Sequence, residues 1–201
     1  MLSPKTINQM IYVKKLLNLK KPIVVAAGPA GCGKTLFACQ VAAQKILSNQ
    51  CDKIIVTRPT VSVDEDLGFL PGKLEKKMEP WVKPMFEIFE KERIQRSVEI
   101  VPLAYMRGRT FKNSFIIADE MQNSTPNQMK MVMTRIGDDS KMVITGDFTQ
   151  SDLHFKTNGL EDLFYRISEK DLQYIDHILF ENEDIQRHPA VAEVLSIYPP
   201  R

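Results

Sequence analysis

Short apolar runs recur along the chain, and they are separated by longer stretches in which apolar residues return at helical spacing. Each run spans about five residues and is rich in Val and Ile, the pattern of strands buried on both faces of a parallel sheet. The runs predict strands at 23–27, 53–57, 98–102, 114–118, 141–145 and 176–180.

The stretches between the runs have the periodicity of amphipathic helices. Thr125 is suited to cap one of them, because its side-chain oxygen can accept from the first free amides of a helix. The spacing predicts helices at 7–19, 34–47, 82–92, 126–136, 160–167 and 189–197. In the first helix, the apolar residues that fall near one face are Ile7, Met10, Ile11 and Leu17.

The alternation of strands and helices predicts one α/β domain over residues 1–201, with a mainly parallel sheet covered on both faces. Hydrophobic residues make up 43% of the chain, which is enough for a sizeable core. No apolar run reaches the roughly 18 residues of a membrane span, and residues 1–11 lack the pattern of a signal peptide. Cys32, Cys39 and Cys51 form no C-x-x-C pair, which favours reduced thiols in a cytoplasmic protein. The net charge of +2 neither demands nor excludes nucleic acid.

The most specific motif lies between the first predicted strand and the helix at 34–47. Its pattern, G-x-x-x-x-G-K-[ST], is that of a phosphate-binding loop. Glycines let successive backbone amides turn toward an anion, and the start of the helix adds positive potential. Lys34 is placed to bridge the β- and γ-phosphates of ATP, and the Thr35 hydroxyl to bind Mg²⁺. We therefore expect the nucleotide to be held by Gly28, Pro29, Ala30, Gly31, Cys32, Gly33, Lys34, Thr35 and Leu36.

The predicted strand 114–118 ends in two carboxylates, Asp119 and Glu120. Two adjacent acids after a buried strand are costly unless a cation neutralises them. We expect Asp119 to hold Mg²⁺ and Glu120 to orient or activate the attacking water as a general base. A solvated Asp-Glu turn is the alternative, but one Mg²⁺ ion would explain both this pair and the phosphate loop.

Gln150 ends a polar segment, residues 146–150, that follows the strand at 141–145. Its amide is placed to reach the γ-phosphate or the lytic water and to report hydrolysis to neighbouring loops. A plain turn, in which Gly146 and Asp147 serve backbone geometry, explains the spacing equally well. Because ligands of open α/β sheets bind at the carboxyl ends of the strands, we expect this segment, the phosphate loop and the two carboxylates to meet there.

Several polar side chains outside these motifs are weaker candidates. The amide of Gln9 can both donate to and accept from an adenine ring, although an exposed helical glutamine is the commoner situation. Arg187 can supply positive charge to the γ-phosphate, in cis or across a subunit contact. Candidates for phosphate or RNA contact are Arg58, Arg107 and Arg109, each with an ordinary surface ion pair as the alternative.

Two aromatic residues and the histidines add little to this picture. Trp81 and Phe86 can stack on bases, but they fit a buried hydrophobic face as well, and we favour core packing. The three histidines lack the spacing of metal ligands.

Taken together, these motifs resemble the PhoH family of ATP-binding proteins, which are related to the N-terminal core of superfamily 1 helicases. The resemblance covers nearly the whole chain, from Asn8 to about Tyr198. The acidic motif departs slightly, since Met121 stands where relatives usually have a small residue, and both carboxylates are kept. The segments that carry the resemblance are VTRP at 56–59, LGFLPG at 67–72, LAYMRGRT at 103–110, ADEMQN at 118–123, MTRIG at 133–137, TGDFTQ at 145–150 and RHP at 187–189.

The resemblance implies a P-loop NTPase with a RecA-like, three-layer α/β/α fold, ATP binding and Mg²⁺-dependent ATPase activity. By analogy with helicase motifs, Gln9 resembles an adenine reader, Gln150 a γ-phosphate sensor and Arg187 a phosphate-contacting arginine. Some longer relatives carry a nuclease-like domain and act on RNA. With one RecA-like domain, movement of RNA or single-stranded DNA would need neighbouring subunits, and the resemblance suggests a homo-oligomeric ring, such as a hexamer.

Three functions remain open at this point. The first is an ATPase that remodels or moves along RNA or single-stranded DNA, and the helicase-like motifs with Arg107 and Arg109 support it. The second is a binding or signalling module that switches with bound ATP or ADP and does not act on nucleic acid. The third is a small-molecule kinase, which fits less well because Glu120 and Gln150 suit the activation of water and because no arginine-rich lid is evident.

Overall fold

The computed structural model describes residues 2–59, 74–152, 158–188, 190, 191 and 197. The motif at 67–72, the side chain of Trp81 and most of the helix expected at 189–197 lie outside this part. The helices are α1 (Ile7–Leu17), α2 (Lys34–Leu47), α3 (Leu74–Lys91), α4 (Pro126–Met133) and α5 (Gly159–Ile167). The strands are β1 (Ile23–Ala27), β2 (Lys53–Thr57), β3 (Val98–Ile100), β4 (Ser114–Ala118), β5 (Lys141–Gly146) and β6 (Ile175–Leu179).

All six strands run parallel, in the order β3-β2-β4-β5-β1-β6, which confirms the predicted parallel sheet. β5 lies between β1 and β4. Ala27 of β1 pairs with Gly146 of β5, and Ala118 of β4 pairs with Ile144. The loops that follow β1, β4 and β5 therefore leave the same edge of the sheet within about two residues of each other, as expected for parallel strands.

Two hydrophobic cores, one on each face of the sheet, make the domain three layers thick. Alternate residues of β1 point to opposite faces, so Val24 packs with α1, α2 and α3 while Val25 packs with α4 and α5. The strands are buried on both sides because helices cover both sides. The α/β/α arrangement predicted from the alternation is confirmed.

The predicted helix α1 is present, but the face that it buries is not its apolar stripe. The apolar stripe at Ile7, Met10, Ile11 and Leu17 is exposed, with Ile7 at 74%. The helix instead buries Tyr12, whose ring stacks edge-on against Phe180 and whose hydroxyl donates to the Lys34 carbonyl. Two stripes of similar periodicity run along this helix, and the one that includes a hydrogen-bonding aromatic residue packs on the sheet.

The α3 prediction began too late, because the helix starts at Leu74 and continues through Pro80 and Pro84. Proline inside a helix removes a hydrogen bond and normally marks a boundary. Packing of Val82, Met85 and Phe89 in the core offsets that cost. Smaller differences are that α4 ends at Met133, three residues early, and that β3 ends at Ile100. Thr125 does cap α4, in a reciprocal pair with Gln128. None of the described helices is both long and apolar enough to cross a membrane.

Candidate functional site

The loop between β1 and α2 is built around glycines in conformations that other residues rarely adopt. Gly31 and Gly33 have φ angles of 92° and 91°, and Gly33 is the N-cap of α2. A Cβ atom on Gly31 would lie 2.5 Å from Nε of Arg187, so a side chain there would displace that arginine. Backbone amides at the N-terminus of a helix after such a glycine loop can bind an anion.

Lys34 lies along the inner side of the loop and is largely buried. Its ammonium group donates to the carbonyl oxygens of Gly28 at 2.6 Å and Pro29 at 2.8 Å. Both acceptors belong to the loop itself, so the amine lies within reach of any anion bound to the loop amides. Its third donor faces the Cys32 sulfur at 3.6 Å, a weak acceptor that an anion bound to the loop can replace.

Thr35 and Asp119 bring a hydroxyl and a carboxylate together across the site. The Thr35 hydroxyl donates to Oδ1 of Asp119 at 2.8 Å, and Thr145 donates to the same oxygen. Asp119 is buried, and its backbone amide donates to the Thr57 carbonyl on β2. The carboxylate of Asp119 therefore follows the end of β4 and is oriented by Thr145 of β5. The Thr35 hydroxyl supplies a second oxygen beside it. Carboxylate and hydroxyl oxygens are the protein ligands that Mg²⁺ prefers.

Glu120 has a left-handed backbone conformation, with φ at 54°. A residue other than glycine reaches this region at a cost of about 1 kcal/mol or more, and it stays there when its surroundings enforce it. The side chain of Gln122 donates to Oε2 of Glu120 at 2.5 Å and so restrains the carboxylate. Strain of this kind is common at functional sites.

The post-β5 segment, residues 146–150, begins at the last residue of β5 and is connected to this carboxylate through Gln122. Asp147 accepts from the side chain of Gln150 at 3.0 Å and from the amide and hydroxyl of Thr149. Gln122 accepts from the Asp147 amide at 3.1 Å and donates to the Gln150 carbonyl at 3.2 Å. Gln122 is 1% exposed and was not among the predicted site residues. The two-residue spacing from Glu120 was the signal that could have indicated it.

These parts surround a cavity of about 260 Å³ at the carboxyl edge of the sheet. The predicted catalytic residues Lys34, Glu120, Gln150 and Arg187 all line it. Of the other predicted loop residues, Gly28, Pro29 and Cys32 shape the loop from outside the lining. The remaining lining residues are Ala30, Gly31, Gly33, Thr35, Leu36, Asp119, Gly146 and Asp147.

Gln9 lies behind the loop and does not line the cavity. It is buried, its side chain donates to the Cys32 carbonyl at 3.1 Å, and its oxygen accepts from the Lys5 amide at 2.7 Å. These bonds hold the loop from behind. Its role as an adenine reader stays a prediction.

Arg187 reaches the cavity from the segment after β6, within the same chain. The neighbouring Gln186 amide donates to the Gly31 carbonyl at 3.0 Å. Asp184 anchors this segment by accepting from Thr6 and Asn8 of the N-terminal segment. Burial alone would raise the pKa of Asp184, but hydrogen bonds from the Glu181 amide, Thr6 and Asn8 outweigh it and lower the pKa below its ordinary value.

The three arginines proposed for nucleic-acid contact differ in their surroundings. Arg109 donates to Glu99 at 2.7 Å and lies over the ring of Phe111, so it has a structural ion pair. Arg107 is exposed in the loop after β3, and Arg58 is half-buried after β2. Both follow strands at the same sheet edge as the cavity.

The described residues contain no group of three or more His, Cys, Asp or Glu side chains arranged to hold a metal ion. A cation at Thr35 and Asp119 would therefore depend on further ligands from outside the protein, such as phosphate oxygens and water. Mg²⁺ is usually bound in this way, through one or two protein oxygens together with substrate phosphates.

The sheet and the site together define a nucleotide-binding P-loop protein with a helicase-core, RecA-like fold. A family model for PhoH-like proteins matches residues 1–199, and the chain belongs to that family. It is 42% identical to a PhoH-like protein of Synechocystis over 96% of this chain and 61% of that protein. It is 39% identical to protein PhoH of Escherichia coli K12 over 94% of this chain and 56% of that protein. The chain thus spans about three-fifths of the length of these relatives.

Among solved structures, the Pif1 helicase of Candida albicans matches with a TM-score of 0.50 and 15% sequence identity. The match covers 97% of this chain and 43% of the helicase. At this identity the likeness shows the fold alone.

Proposed function

We propose that this protein binds Mg-ATP in the cavity at the carboxyl edge of the sheet and hydrolyses it to ADP and phosphate. The observation that carries the proposal is the meeting of four elements around one cavity: the glycine loop, the Thr35–Asp119 pair, Glu120 and Gln150. A loop that only binds an anion would not need a paired carboxylate and a sensor amide beside it.

Thr35 and Asp119 fit the metal because a hydroxyl and a carboxylate oxygen 2.8 Å apart can both turn toward one small cation. When bound, Mg²⁺ would neutralise charge that develops on the phosphate oxygens. The chain's own residues do the rest of the positioning. The loop amides and Lys34 would hold the β- and γ-phosphates, and Arg187, already over Gly31 in the same chain, would add charge near the γ-phosphate.

Glu120 is the group placed to take a proton from the attacking water. Its carboxylate lines the cavity beside Asp119. Gln150 lines the same cavity and would contact the γ-phosphate or the water from the β5 side. Release of phosphate would then free Gln150 to change its contacts, which couples hydrolysis to the post-β5 segment.

We further propose that hydrolysis acts on RNA or single-stranded DNA, with several copies of the chain assembled, as in a hexameric ring. Arg58 and Arg107 support this part, because they follow strands at the cavity edge and can pair with backbone phosphates. Arg109 is a weaker candidate, since Glu99 already neutralises it.

The experiment is a measurement of phosphate release from Mg-ATP, with and without single-stranded RNA and DNA, together with the mass of the assembly. We expect turnover that depends on Mg²⁺ and rises with nucleic acid at low salt. If turnover does not change with nucleic acid and a protein partner binds only in the presence of ATP, the result would favour a binding or signalling module that switches with the bound nucleotide. ATP binding without phosphate release would refute the ATPase.

A further inference from the structure

Gln122 occupies a central position between two functional parts of the site. It is almost completely buried, and its amide group makes three hydrogen bonds to two different segments. Its nitrogen donates to the Glu120 carboxylate at 2.5 Å and to the Gln150 carbonyl at 3.2 Å, while its oxygen accepts from the Asp147 amide at 3.1 Å. One rigid planar group therefore links a side-chain carboxylate on the β4 side to backbone atoms on the β5 side.

The surroundings leave Gln122 little freedom to move independently of those partners. A Cβ atom on Gly146 would be closer to the Gln122 side-chain oxygen than any real Cβ contact allows, so the glycine leaves room for the amide. The Ser151 hydroxyl also donates to the Gln122 carbonyl at 3.1 Å. A shift of the post-β5 segment must therefore displace the Gln122 amide, and with it the bond to Glu120.

We propose that Gln122 is a positioning residue that couples contact between Gln150 and the γ-phosphate to the alignment of Glu120. This role rests on the proposed ATPase function. While the post-β5 segment is in place, Gln122 holds the Glu120 carboxylate toward the cavity. When that segment shifts, the same amide is withdrawn and Glu120 loses its alignment. Gln122 itself touches neither nucleotide nor water.

Asn123 provides a matched control for this proposal. It is also a buried amide, in the next position of the chain, and it also bonds to the chain beyond β5. Its side chain accepts from the Asp152 amide at 2.8 Å and donates to the Asp152 carboxylate at 3.3 Å. Neither bond reaches Glu120, so replacement of Asn123 tests the structural effect of losing a buried amide alone.

The test compares two variants, Gln122→Met and Asn123→Leu. Each substitution removes the side-chain amide and puts an apolar side chain of similar size in its place. Phosphate release gives kcat, titration with a fluorescent ATP analogue gives the nucleotide Kd, and thermal unfolding gives Tm. For Gln122→Met we expect kcat to fall about 10-fold or more with Kd within about 2-fold of wild type. For Asn123→Leu we expect a lower Tm with kcat within about 2-fold of wild type at 25 °C. If Gln122→Met does not fold, Gln122→Glu keeps the bond from the Asp147 amide and replaces the amide donor by a second carboxyl group. This group either repels Glu120 or shares a proton with it, and in both cases we expect the same loss of kcat.

A double-mutant cycle of Gln122→Met with Gln150→Ala measures whether the two losses of kcat are coupled. A purely structural role of Gln122 would not produce such coupling. If Gln122 and Gln150 act through one coupled element, the double variant is no slower than the slower single variant. The proposal would be overturned if the losses of kcat in the two single variants multiply in the double variant. It would also be overturned if kcat is unchanged in Gln122→Met, or if Asn123→Leu loses as much kcat as Gln122→Met. A wild-type protein with no turnover would instead refute the ATPase function. Normal wild-type turnover with a fully active Gln122→Met would refute the coupling alone.

Discussion

Two buried lysines, one at the carboxyl edge of the sheet and one at the amino edge, have the same side chain but different roles. Lys34 lies at the carboxyl edge and donates to two carbonyls of its own loop, inside a cavity. Lys141 begins β5 at the amino edge and donates to the carbonyls of Lys15, Asn18 and Lys21. These acceptors come from the end of α1 and the link that follows it, where helix carbonyls lack partners.

The difference is in how completely each ammonium group is used. Three carbonyls occupy all three donors of Lys141. The third contact of Lys34 is instead the Cys32 sulfur at 3.6 Å, a weak acceptor that an anion in the cavity can replace. The pKa of Lys141 is lowered to about 8, mainly because the side chain is buried. The positive charge of Lys45 also lowers this pKa, and the negative charge of Asp176 raises it. Lys141 is therefore still charged at pH 7. A buried lysine whose three donors all meet carbonyls stabilises the fold, and one that has exchanged a carbonyl for a weak sulfur acceptor beside a cavity can bind a ligand.

Replacement of Lys34 is the strongest test of this contrast. Lys34→Met keeps the apolar stem and removes the charge that would hold the β- and γ-phosphates. We expect kcat/KM for ATP to fall by about 1,000-fold or more, because the lost contact is charge-assisted and lies in a buried site. Phosphate release and nucleotide titration measure the effect. ATP affinity and turnover equal to wild type would show that the cavity is not the nucleotide site.

Glu120→Gln separates chemistry from binding at the same edge. The amide keeps the size of the side chain but cannot take a proton from water, so we expect kcat to fall about 100-fold while nucleotide binding is retained. Single-turnover phosphate release alongside Kd gives both quantities. Unchanged turnover would remove Glu120 from the role of general base.

Lys141→Met should have the opposite profile at the amino edge. Three buried carbonyls lose their donor, and we expect the free energy of unfolding to fall by about 2 kcal/mol. Turnover at 25 °C should stay close to wild type, because the side chain is at the far edge from the cavity. Urea unfolding measures the first quantity and phosphate release the second. The exposed Lys112, paired with Asp138, offers a control whose replacement by Met should change neither. A loss of turnover in Lys141→Met without a loss of stability would contradict the contrast.

Local signals in the sequence predicted the strands and the phosphate loop well. The bounds of β1, β2 and β4 match the apolar runs, and Gly28 to Gly33 form the predicted loop between β1 and α2, which begins at Lys34. Long-range contacts were not predictable in this way. Asp184 is bonded to Thr6, 178 positions away, and the choice between two stripes on α1 depends on where Phe180 lies. These features depend on which segments meet after folding, and periodicity within one segment carries no information about that.

Asp184 gives the smallest expected effect and a test of the long-range contacts. Its folded-state pKa is lower than the unfolded value near 3.8, so its carboxylate contributes stability above that pH, and the contribution is lost as pH falls through the folded value. Asp184→Asn keeps the shape, and we expect it to lower the free energy of unfolding by about 1 kcal/mol at pH 7. The deficit should shrink as the pH falls below about 4 and the wild-type carboxyl group is protonated. Urea unfolding of both proteins at pH 7 and pH 3 measures it, with Glu183→Gln, an exposed neighbour, as the control. A deficit that is equal at both pH values would show that the charge of Asp184 does not hold the segment carrying Arg187 against the phosphate loop.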